Sequence, residues 1–322
     1  MPHVSKPPVL LEHLFDDPGM VVEILRQNAP YTPLGGWFRP DQGQGEAMSP
    51  MWFQEDWLHA DYAAPGADLF MSRERVVQAA KDFYDAEVVV PHTLYVNLFA
   101  AIAESGPAHT DNPVFRGRNR SNTPMLLLRA MYWSSLFEDW EITQATSIWW
   151  LNDVADGGGL RYWPDGPDHA PKRHVGHMAN TALVGDNHGM FHQVEPVGPY
   201  DKGTLMVNAK AELAPAKNNS DDWSVTHNGE ESFRAPFSHF RVSVLWKADI
   251  YESAEEQQRV AADLLSLEEV VRIFNEDLNH KGADLRLAAA TLDDPALPQQ
   301  LAQYYPEPVP IDAGVSFFET SH

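Results

Sequence analysis

The stretch AHTDNPVFRG, residues 108–117, places a histidine and an aspartate two positions apart, at His109 and Asp111. Side chains at positions i and i+2 of an extended strand point to the same face. Pro113 ends such a strand, because proline has no N–H for the ladder and biases the residue before it away from the helical region. An imidazole and a carboxylate at a strand end can therefore reach one point, as two ligands of one metal ion must.

A third ligand is offered by His192, within the segment GMFHQVEPVG at 189–198. Two imidazoles and one carboxylate on one face, with three positions left open, suit an Fe(II) ion that activates dioxygen. His188 is an alternative third ligand, four residues earlier. We favour His192 because it lies in a predicted strand, whereas His188 lies in the turn that precedes this strand.

The composition is that of a globular, β-rich protein. The chain has 322 residues, enough for one large domain or two small ones, and it contains 10 Trp and 25 Pro, which favour a β-rich body with many turns. It has no cysteine, which excludes disulfides, thiolate zinc sites and thiol nucleophiles. The first residues lack the pattern of a signal peptide, and no window approaches a membrane span. We therefore expect a cytoplasmic protein with no membrane partner.

The charge excludes one class of partner and suggests another. Acidic residues outnumber basic ones 46 to 23, and the net charge of −23 argues against binding to nucleic acid. Arg116 and Arg118 follow the H-x-D motif, and we interpret them as candidate contacts to an anionic group on a small-molecule substrate. Trp150 is a candidate aromatic wall for that substrate. The alternatives are surface ion pairs for the arginines and core packing for the tryptophan.

Residues 1–86 are predicted to form a helical and irregular layer. Leucines and valines predict an amphipathic helix over 8–27, interrupted near Asp16 and restarted at Pro18. Residues 30–66 are rich in Gly, Pro and Trp, and we expect them to be irregular. A helix is predicted over 72–86, with Ser72 as its N-cap.

Residues 87–250 are predicted to form the β core. Strands are expected at 87–106, in a hairpin at 145–164, in a second strand–turn–strand unit at 180–199, and at 240–251. In the last strand Arg241, Ser243, Leu245 and Lys247 alternate onto one face. Residues 251–322 are predicted to form a helical extension with a loosely packed tail after 291. The prediction is one catalytic domain, mainly β with flanking helices.

The order of the motifs resembles a known family. H-x-D, W-L-N-D-V-x-x-G-G-G-L-x-Y-W-P, A-L-V-G-D-N, H-x-V-x-P-V-G and R-x-S follow one another over residues 90 to 250. This order is similar to that of the Fe(II)/2-oxoglutarate-dependent oxygenases, particularly their prolyl-hydroxylase-like and phytanoyl-hydroxylase-like members. The resemblance implies a double-stranded β-helix (jelly-roll) core.

It also implies roles for five residues. His109, Asp111 and His192 would be the iron ligands, and Arg241 with Ser243 would bind the far carboxylate of 2-oxoglutarate. The expected activity is hydroxylation, desaturation or ring closure of a small molecule by Fe(II), 2-oxoglutarate and O2, with release of succinate and CO2.

One interval departs from the family pattern. From His192 to Arg241 the chain advances 49 residues, which predicts an insertion near 200–239. Two alternatives remain open: a cupin-type metal dioxygenase that does not use 2-oxoglutarate, and a non-catalytic binding protein on the same scaffold. Arg241 and Ser243 argue against the first, and the complete set of ligands argues against the second.

Overall fold

Two facing antiparallel sheets form the centre of the protein in the computed structural model, which describes residues 5–33, 48–59, 62–217, 221–292, 294 and 296–317. The strands are β1 Val9–Leu11, β2 Thr32–Pro33, β3 Met48–Pro50, β4 Trp52–His59, β5 Tyr62–Ala63, β6 Val88–Phe99, β7 Gln144–Trp150, β8 Leu160–Trp163, β9 Lys172–His174, β10 Thr181–Gly185, β11 Phe191–Val194, β12 Met206–Asn208, β13 Ala211–Pro215, β14 Asp222–His227, β15 Glu230–Pro236 and β16 Arg241–Tyr251. The helices are α1 Pro18–Gln27, α2 Asp68–Met71, α3 Glu74–Tyr84, α4 Met125–Ser134, α5 Ala254–Ala262, α6 Leu267–His280 and α7 Leu297–Ala302.

The larger sheet has the order β1-β10-β7-β16-β6-β4-β2, and β5 pairs with β4. The smaller sheet has the order β11-β8-β9, and the segment carrying His109 pairs with its edge at His192. The chain passes back and forth between them. From β6 it crosses to the His109 segment, returns to β7, crosses to β8 and β9, returns to β10, crosses to β11 and ends the core in β16. This alternation is a double-stranded β-helix, and the predicted fold class is confirmed.

The hairpin predicted over 145–164 is wrong. β7 pairs with β10 and β16, whereas β8 pairs with β9 and β11. The glycine-rich connection between them crosses from one sheet to the other instead of doubling back. Gly157 has a φ of +73°, and a Cβ there would lie 2.2 Å from the Pro196 carbonyl oxygen, so this crossing requires glycine. Strands β10 and β11 of the second strand–turn–strand unit likewise belong to different sheets, so the chain also crosses between the sheets there.

Alternation along β16 separates the core from the cavity. Val242, Val244 and Trp246 point to one face and belong to the main hydrophobic core. This core also contains Trp149 of β7 and Phe70 of α2, so the N-terminal helices cover the outer face of the larger sheet. The opposite face of β16 turns toward the smaller sheet and lines a cavity.

Several predictions for the N-terminal layer need correction. The helix predicted over 8–27 is the strand β1 followed by α1, because β1 pairs with the edge strand β10, and Asp17 caps α1 by accepting a hydrogen bond from the Met20 N–H. Within 30–66, predicted as irregular, β4 is a strand of the larger sheet paired with β6. Residues 34–47 of that prediction lie outside the described residues.

The N-cap of the next helix was also misplaced. Helix α3 begins at Glu74 with Arg73 as its N-cap. Ser72 instead ends α2, where its hydroxyl donates to the Asp68 carbonyl at 2.8 Å. The prediction of Ser72 as an N-cap is wrong because a short helix, α2, precedes this serine and ends at it.

The C-terminal region forms a second core and is not loosely packed after 291. Helices α4, α6 and α7 meet around a cluster that includes Leu128, Phe274 and Leu301. Further along, the chain runs beside the smaller sheet: the Trp163 indole donates to the Ile311 carbonyl at 2.8 Å, and Phe317 is buried. Apolar residues spaced along an irregular segment gave no periodic signal, which is why the sequence did not predict this packing.

The segment 200–239, predicted as an insertion, contains a three-stranded sheet β13-β14-β15 and the strand β12, which pairs with β3. Across the described ranges, no helix combines the length and apolar character needed to cross a membrane.

Candidate metal centre and its cavity

Three side chains converge between the two sheets. One ligand atom each from His109, Asp111 and His192 lies within 4.8 Å of the others, and no second such group occurs in the described part of the chain. Backbone pairing explains this convergence. The His109 N–H donates to the His192 carbonyl at 3.1 Å, and the His192 N–H donates back at 2.9 Å, so the two rings stand with centroids 4.4 Å apart. The Asp111 N–H donates a hydrogen bond to the Asn187 carbonyl at 2.8 Å.

Both imidazoles are oriented by their own backbone neighbourhood. Nδ1 of His109 lies 2.9 Å from the Pro107 carbonyl oxygen, and Nδ1 of His192 lies 3.2 Å from that of Met190. A carbonyl can only accept, so Nδ1 carries the proton in both rings and Nε2 keeps its lone pair. Each histidine therefore presents Nε2 as a donor atom for a metal.

The two imidazoles are neutral at neutral pH. Burial, followed by the neighbouring His192, lowers the pKa of His109 to about 4, and burial also lowers the pKa of His192. His192 Nε2 lies 3.7 Å from Asp111 Oδ1. Because the ring is uncharged, this contact is not an ion pair. Neutral imidazole is the form that binds a metal ion.

Asp111 is held as a carboxylate by a lysine. Burial would raise its pKa, but Lys247, followed by the nearby imidazoles, holds the pKa well below its usual range. Lys247 Nζ lies 2.8 Å from Oδ2, and Thr146 Oγ1 donates to the same oxygen at 3.3 Å. Sequence reasoning placed Lys247 on the same face as Arg241 but assigned it no role. Its nearness to Asp111 depends on how the sheets face each other, which no local pattern reveals.

His188, the alternative third ligand, is not part of this group. Its imidazole is buried, and burial lowers its pKa to about 4. Its Nε2 has no hydrogen-bond partner among the described residues. It does not line the cavity, whereas the residues of the group of three all do.

Arg241 is a buried cation of a different kind. It is 1% exposed. Nε donates to the Gly158 carbonyl and Nη1 donates to the Ser243 hydroxyl, both at 2.8 Å. Among the described residues it forms no ion pair with a carboxylate. Burial lowers the pKa of Arg241 to about 9, so the guanidinium is still charged at neutral pH. It lies over the rings of Phe99 and Trp150, at 5.5 and 5.8 Å from their centroids.

The cavity that joins these groups has a volume of about 1200 Å³. The group of three, Lys247 and Arg241 all line it. Sequence reasoning missed further lining residues: Tyr95 and Asn97 on β6, Arg120 and Arg129 near α4, and Phe317 near the C-terminus. Alternation along β6 could have identified the first two, because they share a face with Phe99. Distant chain segments supply the others.

The candidate substrate contacts do not line the cavity. Arg116 is buried, forms an ion pair with Asp263 at 2.9 Å and donates to the Asp139 carbonyl. Arg118 donates to the Leu265 carbonyl at 2.9 Å. Trp150 is packed beneath Arg241 and beside His174, with ring centroids 4.7 Å apart in the latter pair. The two arginines instead connect the H-x-D segment to the C-terminal region, through Asp263 and the Leu265 carbonyl. Trp150 packs against Arg241 and His174, which agrees with the alternative interpretation of core packing.

Comparison with known proteins gave matches only among solved structures. No family model and no curated protein matches the chain. The chain is similar to an oxidoreductase of the 2OG-Fe(II) oxygenase family from Burkholderia pseudomallei, at 11% identity and a TM-score of 0.42, over 77% of this chain and 88% of that one. It is similar to a Pseudomonas putida prolyl-4-hydroxylase at 13% identity and a TM-score of 0.37, over 77% of this chain and 94% of that one.

A third similar structure is HygX from Streptomyces hygroscopicus, solved with nickel, 2-oxoglutarate and hygromycin B bound. Its identity is 8% and its TM-score 0.39, over 76% of this chain and 83% of that one. These similarities by themselves assign no activity to this chain.

Proposed function

We propose that this protein is an Fe(II)- and 2-oxoglutarate-dependent oxygenase that hydroxylates a small-molecule substrate. The observation that supports this most directly is a coincidence within one cavity. Two imidazole Nε2 atoms and one carboxylate oxygen converge there, and the same cavity holds a buried guanidinium that has no carboxylate partner among the described residues.

The donor set fits Fe(II). Two neutral imidazoles and one carboxylate on one side of a site leave positions open for other ligands, which is the arrangement of non-haem iron oxygenases. His109, Asp111 and His192 would hold the ion, and the carbonyls of Pro107 and Met190 would keep both rings in the required tautomer. Iron(II) at this site would supply the activation of dioxygen that, with 2-oxoglutarate as cosubstrate, leads to substrate oxidation and release of succinate and CO2.

Arg241 fits the far carboxylate of 2-oxoglutarate. A guanidinium has five N–H donors. Arg241 donates one N–H to the Gly158 carbonyl and one to the Ser243 hydroxyl. Both hydrogens on Nη2 and one on Nη1 therefore remain for a ligand. A buried charge is costly unless it is paired. A dicarboxylate would supply the missing partner, and the Ser243 hydroxyl beside it can also bind the same carboxylate.

The cavity has room for a substrate besides the cosubstrate. Away from Arg241, at the other end of β16, its wall becomes polar. Gln144 Nε2 donates to Asp249 at 2.6 Å, and His92 Nε2 lies 3.0 Å from the same carboxylate. Because Arg116 and Arg118 are occupied elsewhere, they no longer support an anionic substrate. A polar small molecule is what this wall supports.

The cosubstrate requirement is tested by anaerobic titration. Adding 2-oxoglutarate to the Fe(II)-loaded protein should produce a weak visible charge-transfer band, and admitting O2 with a panel of polar substrates should release succinate. A metal dioxygenase that does not use 2-oxoglutarate would show neither. A binding protein without activity could show the band but would release no succinate above the metal-free control.

The ligand assignment is tested by substitution. We expect His109→Ala, Asp111→Ala and His192→Ala each to weaken metal binding at least tenfold and to abolish succinate release, because loss of one of three ligands leaves an incomplete site. His188→Ala is the matched control, a buried histidine four residues from His192. Equilibrium dialysis with Co(II) measures the affinities. Loss of binding in His188→Ala with full binding in His192→Ala would reverse the assignment of the third ligand.

A further inference from the structure

Lys247 lines the cavity, and the proposed function assigns it no role. Its side chain is 14% exposed, and its ammonium lies 2.8 Å from Asp111 Oδ2. Asp111 itself is 9% exposed. A surface lysine paired in this way would contribute little. A partly buried lysine whose charge lies against a predicted metal ligand affects that ligand directly.

The position of Lys247 follows from strand pairing. Lys247 on β16 lies directly opposite Thr146 on β7. Directly opposite residues of an antiparallel pair project to the same face of the sheet. Both side chains reach one oxygen of Asp111, at 2.8 Å from the ammonium and 3.3 Å from the hydroxyl. The larger sheet therefore supplies two donors to an aspartate that is carried by the opposite side of the cavity.

These contacts make the two carboxylate oxygens unequal. Oδ2 accepts both hydrogen bonds, whereas Oδ1 is the oxygen 3.7 Å from His192 Nε2. A carboxylate can bind a metal through one oxygen or through both. With Oδ2 committed to Lys247 and Thr146, Oδ1 is the oxygen available beside the imidazoles.

We propose that Lys247 is a positioning residue that restricts Asp111 to a single ligand oxygen. This inference rests on the proposed function, because it assumes that Asp111 binds the metal. With one oxygen from Asp111 and one nitrogen from each histidine, a six-coordinate ion keeps three positions for other ligands. A second oxygen from Asp111 would occupy one of these three positions.

The test uses Co(II) as a spectroscopic probe on the full-length chain. Co(II) absorption in the visible range changes in intensity and position with coordination number. We expect Lys247→Met to change the Co(II) spectrum relative to wild type, to keep the Co(II) dissociation constant within tenfold or make it tighter, and to lower succinate release at least tenfold. Thr146→Val removes the longer hydrogen bond and should shift the spectrum in the same direction by less. Lys202→Met, an exposed lysine, is the matched control.

The outcomes separate the two proposals. If wild type fails to bind Co(II), the proposed function is wrong. If wild type binds Co(II) but Lys247→Met has the same spectrum and turnover, only the role of Lys247 is wrong. Weakening of Co(II) binding by more than tenfold in a folded Lys247→Met would also overturn it, since that result would make Lys247 a requirement for binding the ion. Thr146→Val provides the decision if Lys247→Met does not fold.

Discussion

Strand β16 carries two cations on one face, the buried Arg241 and the partly buried Lys247, and their surroundings differ in one respect. Lys247 has a carboxylate at 2.8 Å from within the chain. Arg241 donates only to an uncharged carbonyl and a hydroxyl, with no carboxylate among the described residues. The difference shows which charge the fold satisfies itself and which it leaves for a ligand.

The physical reason is the cost of an unpaired buried charge. Transfer of an ion from water to a protein interior costs several kcal/mol unless a partner compensates it. Lys247 is compensated by Asp111, and this pair orients a residue of the metal centre. Arg241 is not compensated in this way, so part of its burial cost is recovered only when an anion binds. The two cations of this strand thus serve ligand binding, at Arg241, and positioning, at Lys247.

The largest expected effect is on cosubstrate binding. Arg241→Ala should weaken 2-oxoglutarate binding by roughly 30- to 4,000-fold, because removing one partner of a buried charge pair costs ~2–5 kcal/mol. Metal affinity should stay nearly unchanged. Arg241→Lys should recover only part of the affinity for 2-oxoglutarate, since an ammonium cannot form the two parallel hydrogen bonds of a planar guanidinium. Calorimetry on the Co(II)-loaded protein measures both affinities.

Arg234→Ala is the matched control for this experiment. Arg234 forms an ion pair with Glu231 at a distance of 2.7 Å. This residue does not line the cavity, so its loss should leave 2-oxoglutarate affinity unchanged. Equal affinity of Arg241→Ala and wild type for 2-oxoglutarate would contradict the assignment of Arg241 as the cation that binds this ligand.

The next effect concerns stability without metal or cosubstrate, and the two cations should differ. Lys247→Met should lower the free energy of unfolding by about 3 kcal/mol, because it leaves Asp111 buried without its cation. Arg241→Met removes a buried charge that lacks a carboxylate partner, so we expect a change of at most about 1 kcal/mol. Urea unfolding of both variants beside wild type measures this. Equal losses would mean that Arg241 is compensated within the fold.

The last effect is the pH dependence of stability, which develops gradually between pH 6.5 and 4. The pKa of His109 is about 4 in the folded chain, against 6.5 for an unperturbed histidine. Between these pH values the unfolded chain binds a proton that the folded chain does not, so acidification destabilises the fold. The contribution of His109 is about 1.4 kcal/mol per pH unit within this window.

His109→Asn should reduce the slope of unfolding free energy against pH between 4 and 6.5 by that amount. His169→Asn is the control, because His169 is an exposed histidine that does not line the cavity. An unchanged slope in His109→Asn would show that the imidazole is not buried in its neutral form.

Local patterns were sufficient where the chemistry depends on neighbouring residues. The H-x-D spacing placed His109 and Asp111 side by side, and the period of two along 240–251 put Arg241 and Ser243 on one face. Where long-range packing decides, the same reasoning failed. Arg116 and Arg118 are close to Asp111 in sequence, yet their guanidinium groups are held by Asp263 and by the Leu265 carbonyl.

The sequence by itself determined the ligand types, the β-rich class and the face of β16 that bears its polar residues, because strand geometry repeats every two residues. Only the tertiary structure decided that strands close in sequence belong to opposite sheets, and that Lys247 meets Asp111 across the cavity. The reason is that a sheet brings together residues more than a hundred positions apart, and their contact depends on which strands pair rather than on any local pattern.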